Sequence, residues 1–232
     1  MWFDGWVREF GKIDVTEIAK AVSEVPDEVW ASDWRRKRLS NFQHTESLHF
    51  MWSPFLYDKF SVYDKRARWE ESNFGRLALD TLEQIRTLVP GKLVRAMLTR
   101  LYPDLDIKAH FDGIHPIYTE CHRLHLPLVT EPEVLMHFTD EHTAHMPVGT
   151  LAEINNMKVH SVTHGGKNLR YHFVLDLLPD NYPGDLPVEY HTDYQRYLAE
   201  TNSQDLNKWF PKLETWREHY DVEVAKWKAR AV

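Results

Sequence analysis

The residues of this chain best suited to chemistry are His110 and Asp112, two places apart, and His160, fifty further on from His110. Side chains two apart on an extended segment point the same way, so His110 and Asp112 can share one face. Two imidazoles and a carboxylate leave open positions on a non-haem iron(II), where oxygen and a co-substrate can bind. Arg170 lies ten residues beyond His160. It can fork onto the far carboxylate of 2-oxoglutarate, a pairing that favours arginine over lysine. Arg123 and His125, again two apart, can add donors for the same co-substrate.

The short motif is not distinctive by itself. Histidine-x-acid occurs at His44-Glu46, His110-Asp112 and His191-Asp193. His44 falls in an irregular, aromatic-rich region. His191 is expected to open a helix, where residues two apart do not face each other. Only His110-Asp112 ends an expected strand and precedes a strand-borne histidine with an arginine beyond it. For that second histidine His164 and His172 are also in range; His160 is preferred for the pattern around it. His137, His142 and His145 are read as parts of an exposed hairpin around Thr139-Asp140-Glu141, not as a second metal site. Asp176 is read as a structural hydrogen-bond acceptor and Cys121 as a packed thiol.

These residues need a scaffold that presents short strands. Leu93–Tyr102, Asp106–His110 and the stretches 122–129, 133–138, 150–155, 158–163 and 169–177 read as strands. Turn-rich pieces such as Pro147-Val148-Gly149 and His164-Gly165-Gly166-Lys167 separate them. Two helices precede them. The first spans 14–25, with Asp14 as cap, Glu17 three places on and Pro26 as its end. The second runs from about Ser72 to Val89, with Phe74, Leu77, Ala78, Leu82 and Ile85 on one face and Pro90-Gly91 as its stop. Residues 27–70 read as irregular apart from a strand near Leu48–Trp52, and Trp30, Trp34, Trp52 and Trp69 as core packing. After Pro179 a loop leads to expected helices at 189–200 and 211–230. Leu213, Trp216, Tyr220, Val224 and Trp227 form an apolar seam on the last. The pattern is mainly β with flanking helices, an α+β arrangement in which a sandwich or barrel carries helices on one face.

Composition sets outer bounds. The 232 residues carry a formal charge of −7, and 43% are hydrophobic. This is an ordinary globular composition, and it argues against a protein that coats nucleic acid. The basic run Arg35-Arg36-Lys37-Arg38 reads as a solvated loop. With Cys121 the only cysteine, no intrachain disulfide can form. No apolar run approaches a membrane span, and the first residues lack a signal-peptide pattern, so a cytoplasmic protein is expected.

From His110 to Asp176 the chain resembles the aspartyl/asparaginyl β-hydroxylase family of 2-oxoglutarate oxygenases. The resemblance rests on the early histidine and on the strand Arg123-Leu124-His125-Leu126-Pro127-Leu128. It also rests on the run Gly149, His160-Ser161-Val162, Arg170 and Asp176. It implies a double-stranded β-helix (a jelly-roll, cupin-like core) with Fe(II), 2-oxoglutarate and O2. It further implies hydroxylation of a carbon in an amino acid, an amino-acid-derived metabolite or a peptide side chain, with succinate as co-product. Carried over, His110 and His160 bind the metal, Arg170 holds the distal carboxylate, and Arg123 and His125 assist. The animal enzymes of this family have glycine where this chain has Asp112, and Asp112 restores a third ligand. That departure weakens any reading of this chain as a modifier of epidermal-growth-factor-like domains.

The expected organisation is one structural domain. Residues 1–91 pack on the core, 92–179 form the double-stranded β-helix, and 180–232 form a helical extension that offers a surface for oligomer formation. Residues 113–121 are expected to form the substrate rim. The partners expected are a small-molecule or peptide substrate, with neither nucleic acid nor membrane. Two rival readings are a cupin-like metalloenzyme that does not use 2-oxoglutarate and a non-enzymatic jelly-roll binding module.

Overall fold

The computed structural model describes residues 3, 5–30, 44–52, 60–110, 112, 121–138, 142–182 and 188–192. The expectations for Trp34, for 35–38, for 113–120, for 139–141 and for the helical seam beyond 192 lie outside the described residues.

Eight antiparallel strands pass back and forth between two sheets and form the centre of the molecule. They are β4 (Lys92–Leu101), β5 (Ile107–His110), β6 (His122–Val129), β7 (Val134–Phe138), β8 (Thr143–Ala144), β9 (Thr150–Ile154), β10 (His160–His164) and β11 (Arg170–Leu178). The smaller sheet has the order β5-β10-β7-β8, with β7 and β8 consecutive in the chain, and β9-β6-β11-β4 lie side by side in the larger one. This arrangement is a double-stranded β-helix, so the chain has the jelly-roll core with flanking helices.

The larger sheet extends at both ends. β1 (Val7–Lys12) pairs with β9, and β2 (Thr45–Trp52) and β3 (Phe60–Asp64) continue beyond β4. β12 (Val188–His191) lies parallel to β3 at the outer edge. Two expectations are corrected here. The stretch 27–70 holds two strands, a short helix α2 (Asp27–Trp30) and a 3-10 turn at Arg66–Trp69. His191 ends a strand and does not open a helix. Its strand is selected by pairing with residues far away in sequence, and tertiary context of this kind overrides local propensity.

Alternation along β11 separates two interiors. Tyr171, Phe173, Leu175 and Leu177 turn outward into a core shared with α1 (Thr16–Ser23) and α3 (Asn73–Leu88). Ile18 and Val22 of α1 and Ala78, Leu82 and Ile85 of α3 fill it, with Trp30 and Phe50 fully buried beside them. Burial of such side chains contributes roughly 1.5–3 kcal/mol each and seats the larger sheet. α3 starts at the Ser72 cap, whose hydroxyl accepts the Gly75 N–H at 2.9 Å. α1 starts one residue later than a cap at Asp14 would place it. Asp14 instead accepts the N–H and hydroxyl of Thr16, and Val15 occupies the cap position. Arg170, His172 and Asp176 alternate with the outward set. Between the sheets lies a smaller apolar cluster of Leu101, Ile107, Val134, Met136, Phe138, Met146, Ile154 and Val162. Among the described residues no helix is long and apolar enough to cross a membrane.

Candidate metal centre

His110 ends β5 and His160 begins β10, and the two are Cα partners in the antiparallel pair. Their rings lie 4.4 Å apart between centroids. Each ring is oriented in the same way. The Nδ1–H of His110 donates to the Lys108 carbonyl at 2.8 Å, and that of His160 to the Lys158 carbonyl, also at 2.8 Å. A histidine that spends its Nδ1 proton on a backbone carbonyl presents a lone pair at Nε2, which is how ligand imidazoles are commonly fixed.

Asp112 follows just beyond β5, with its backbone N–H on the Asn156 carbonyl at 3.3 Å. Its Oδ1 is 3.7 Å from His110 Nε2. One ligand atom from each of His110, Asp112 and His160 fits within 4.8 Å of the others. Two imidazole nitrogens and one carboxylate oxygen suit a first-row divalent ion with positions left open, and non-haem iron(II) is the ion that uses this set. Burial and the neighbouring His110 lower His160 to about 4, so it stays neutral and able to ligate across the physiological range.

The other carboxylate oxygen of Asp112 is held by Arg123 Nη1. Arg123 also donates from Nε to Asp176 Oδ1 at 2.5 Å and from Nη2 to Asp176 Oδ2 at 3.3 Å. Asp176 Oδ2 also forms an ion pair with Arg95 Nε at 2.5 Å. Cross-strand register sets this chain of charges, because Asp176 is the Cα partner of Arg123 on β6 and of Arg95 on β4. Burial pushes the Asp176 carboxyl up to about 7, and Arg95 pulls back towards the carboxylate.

Arg170 opens β11 and is 5% exposed. It lines a small cavity with His172, Val134, Met136, Met146 and Val162, towards the end of β7 remote from His160. Its Nη2–H donates to His172 Nδ1 at 2.8 Å. Its Nε has no partner among the described residues, and no carboxylate there pairs with it. Burial lowers the guanidinium to about 9. An arginine cannot accept, so His172 must carry its proton on Nε2, which is also buried without a partner among the described residues. His125 is 7% exposed, and neither ring nitrogen has a described partner. Burial first, and then the charge of Arg170, hold His125 and His172 well below the usual histidine range, so both are neutral.

The candidates thus fall into two groups. His110, Asp112 and His160 converge; Arg170 and His125 sit in the same interior with unmet hydrogen-bonding capacity. Arg123, at the end of β11 remote from Arg170, is engaged by two carboxylates. His164 and His172, the alternatives for the second histidine, are both outside the cluster, and the Nδ1 of His164 accepts the Gly166 N–H. His137 bonds Thr143 and Thr163, His145 the Val134 carbonyl, and His142 stacks on Trp6. Cys121 is buried. Sequence reasoning weighed His172 only as an alternative metal histidine and did not single out Arg95. Arg170-x-His172 repeats the two-residue spacing noted at Arg123-x-His125 and was therefore available; nothing local marks Arg95.

A cluster of two histidines and a carboxylate that could hold a metal ion, set on a double-stranded β-helix, fits a 2-oxoglutarate-dependent oxygenase. This is the enzyme class that fold and site define. Within that class the chain belongs to the aspartyl/asparaginyl beta-hydroxylase family, which matches residues 15–179. No functionally curated protein matches it in sequence. Among solved structures it is similar to the viral collagen prolyl hydroxylase of Paramecium Bursaria Chlorella virus-1. That likeness has a TM-score of 0.47 at 10% identity and covers 76% of this chain and 97% of that one. It is also similar to AviO1 from Streptomyces viridochromogenes, with a TM-score of 0.47 at 12% identity over 77% and 92% of the two chains. A third likeness is to HygX from Streptomyces hygroscopicus with nickel and 2-oxoglutarate bound, with a TM-score of 0.42 at 15% identity over 75% and 82%.

Proposed function

We propose that this chain is an Fe(II)- and 2-oxoglutarate-dependent hydroxylase acting on a carbon of an amino acid, an amino-acid-derived metabolite or a peptidyl side chain. One observation carries the reading. The same interior holds a three-residue cluster fit for a metal and a buried guanidinium with no carboxylate among the described residues. A buried charge without a counter-charge is costly, and a carboxylate-bearing ligand removes that cost.

In this reading His110, Asp112 and His160 hold the iron. With iron and 2-oxoglutarate bound, the centre couples decarboxylation of the co-substrate to succinate with insertion of one oxygen atom of O2 into a C–H bond. Arg170 binds the distal carboxylate, and the apolar walls from Val134, Met136 and Val162 keep water from competing for it. His125, neutral, supplies one N–H to the co-substrate without adding charge. The family membership supports an amino-acid-like acceptor. A cytoplasmic location agrees with a reaction that uses 2-oxoglutarate.

The test is an anaerobic titration of the metal-free protein with Fe(II) and then 2-oxoglutarate, following the visible charge-transfer band. The band is expected only after both additions, and weaker in Asp112→Ala and Arg170→Ala. Iron uptake with no band on adding 2-oxoglutarate would rule out this co-substrate.

A further inference from the structure

We infer that Asp176 is a positioning residue for the metal centre. Acting through Arg123, it limits the hold on Asp112 to one oxygen and leaves the other for the ion. The inference rests on the reading of His110, Asp112 and His160 as ligands.

The three ligands are not held alike. His110 and His160 are strand residues with Nδ1 fixed on a backbone carbonyl. Asp112 lies beyond the end of β5, so no strand pairing orients its carboxylate. Its orientation comes from Arg123, which touches Oδ2 alone while Oδ1 faces His110 Nε2. Arg123 makes this one-oxygen contact because its remaining edge, Nε with Nη2, is occupied by Asp176.

Asp176 is 1% exposed and ion-paired through Oδ2 with Arg95 Nε as well. The buried order is Arg95, Asp176, Arg123, Asp112, with guanidinium and carboxyl side chains alternating. Remove the charge of Asp176 and two consequences follow for Asp112. The freed fork of Arg123 can grip both of its oxygens, as guanidinium groups do with an unshared carboxylate. Arg123, beside the ion, also loses one of the two carboxylates that face it. Both effects weaken metal binding, and neither requires Asp176 to touch the metal.

The test needs no turnover. Cobalt(II) alone is titrated into wild type, Asp176→Asn, Asp112→Ala and the double variant, reading Kd and the visible ligand-field spectrum. Asp176→Asn is expected to raise Kd roughly ten- to hundredfold, as loss of such outer partners does, and to alter the spectrum. In the Asp112→Ala background the same change should move Kd by less than about twofold, because the group it acts through is gone. Arg123→Lys, which keeps a cation but cannot fork between two acids, should behave in the same way in both backgrounds. It carries the test if Asp176→Asn does not fold. An unchanged Kd in Asp176→Asn or Arg123→Lys overturns the inference while leaving the ligand assignment standing. So does an equal loss in both backgrounds, which would mean a general effect on the fold. A wild-type chain that takes up no cobalt overturns both readings.

Discussion

His110 and His160 face each other across one antiparallel pair, and each ring is pinned at Nδ1 by the carbonyl two residues before it. The pairing brings the two rings to 4.4 Å between centroids, with one ligand atom from each within 4.8 Å of the other. Such a prearranged pair binds metal with little reorganisation, and binding to the folded state alone raises stability. Nickel(II) at about a hundred times its Kd should therefore stabilise the protein by about 2.7 kcal/mol. For a chain of this size that is a rise in Tm of about 5–10 °C. His110→Ala and His160→Ala should each abolish the rise, as read by differential scanning calorimetry. A rise that survives either substitution places the ion elsewhere.

His160 should make a contribution to the stability of the metal-free protein that is lost in mild acid. His160 is lowered to about 4 in the folded state by burial and by His110, from an ordinary value of 6.5. Between those values the unfolded chain binds the proton and the folded chain does not. That contribution is thus fully present above about pH 6.5 and falls as the pH drops towards 4. His160 alone accounts for at most about 3 kcal/mol of that fall. His125 and His172, lowered for the same reason, act in the same direction. Asp176, raised by burial to about 7, acts in the opposite direction over the same window. The measurement is therefore urea unfolding of wild type and His160→Gln at a series of pH values. The variant should lose less stability between pH 6.5 and 4, and parallel profiles would contradict the assignment.

Arg170 should trade stability for binding. Its buried charge has no carboxylate among the described residues, and burial lowers it to about 9. Arg170→Met, similar in reach and uncharged, should leave the metal-free protein as stable or more so. The same change removes one partner of a buried charge pair in the complex, a loss of about 2–5 kcal/mol. Calorimetric titration of the nickel-loaded protein with 2-oxoglutarate should then show affinity reduced by at least about thirtyfold. His172→Leu, which removes only the acceptor on Arg170 Nη2, should cost roughly tenfold and leave nickel affinity alone. Equal affinity in Arg170→Met and wild type would place the distal carboxylate on another residue.

Much of the core was legible from residue 92 onward because alternating side chains and turn-forming residues recur there at short intervals. The expected strands at 122–129 and 106–110 match β6 and β5 closely, and His110-Asp112 was picked out because a strand ended at it. Information that resides in register was not legible. Arg123 and His125 do share a face, but which acid Arg123 meets depends on β6 lying against β11 with Asp176 opposite. Arg95 enters through the next register over. β12 failed for a related reason, since its edge pairing with β3 spans more than a hundred residues and leaves little local trace.

Gly149 illustrates what a turn residue contributes to a site it does not touch. It precedes β9 with φ +74, in the left-handed region that glycine adopts without penalty. Its N–H donates to the Pro127 carbonyl at 2.9 Å, and its carbonyl accepts the Ile13 N–H at 2.9 Å. It thereby ties β9 to the end of β6, the strand that carries Arg123 and His125. A Cβ at this position would lie 2.7 Å from the Ile13 carbonyl oxygen, so alanine meets both an unfavourable φ and a backbone clash. Gly149→Ala should destabilise the metal-free protein by about 1–3 kcal/mol. Because β5 and β10 carry the metal cluster in the other sheet, cobalt affinity should change little under conditions where the variant is folded. Paired urea unfolding and cobalt titration would measure both. A variant that keeps wild-type stability would show that the turn can adopt another conformation, and one that loses cobalt binding while folded would show that the two sheets are coupled more tightly than their separate hydrogen bonding implies.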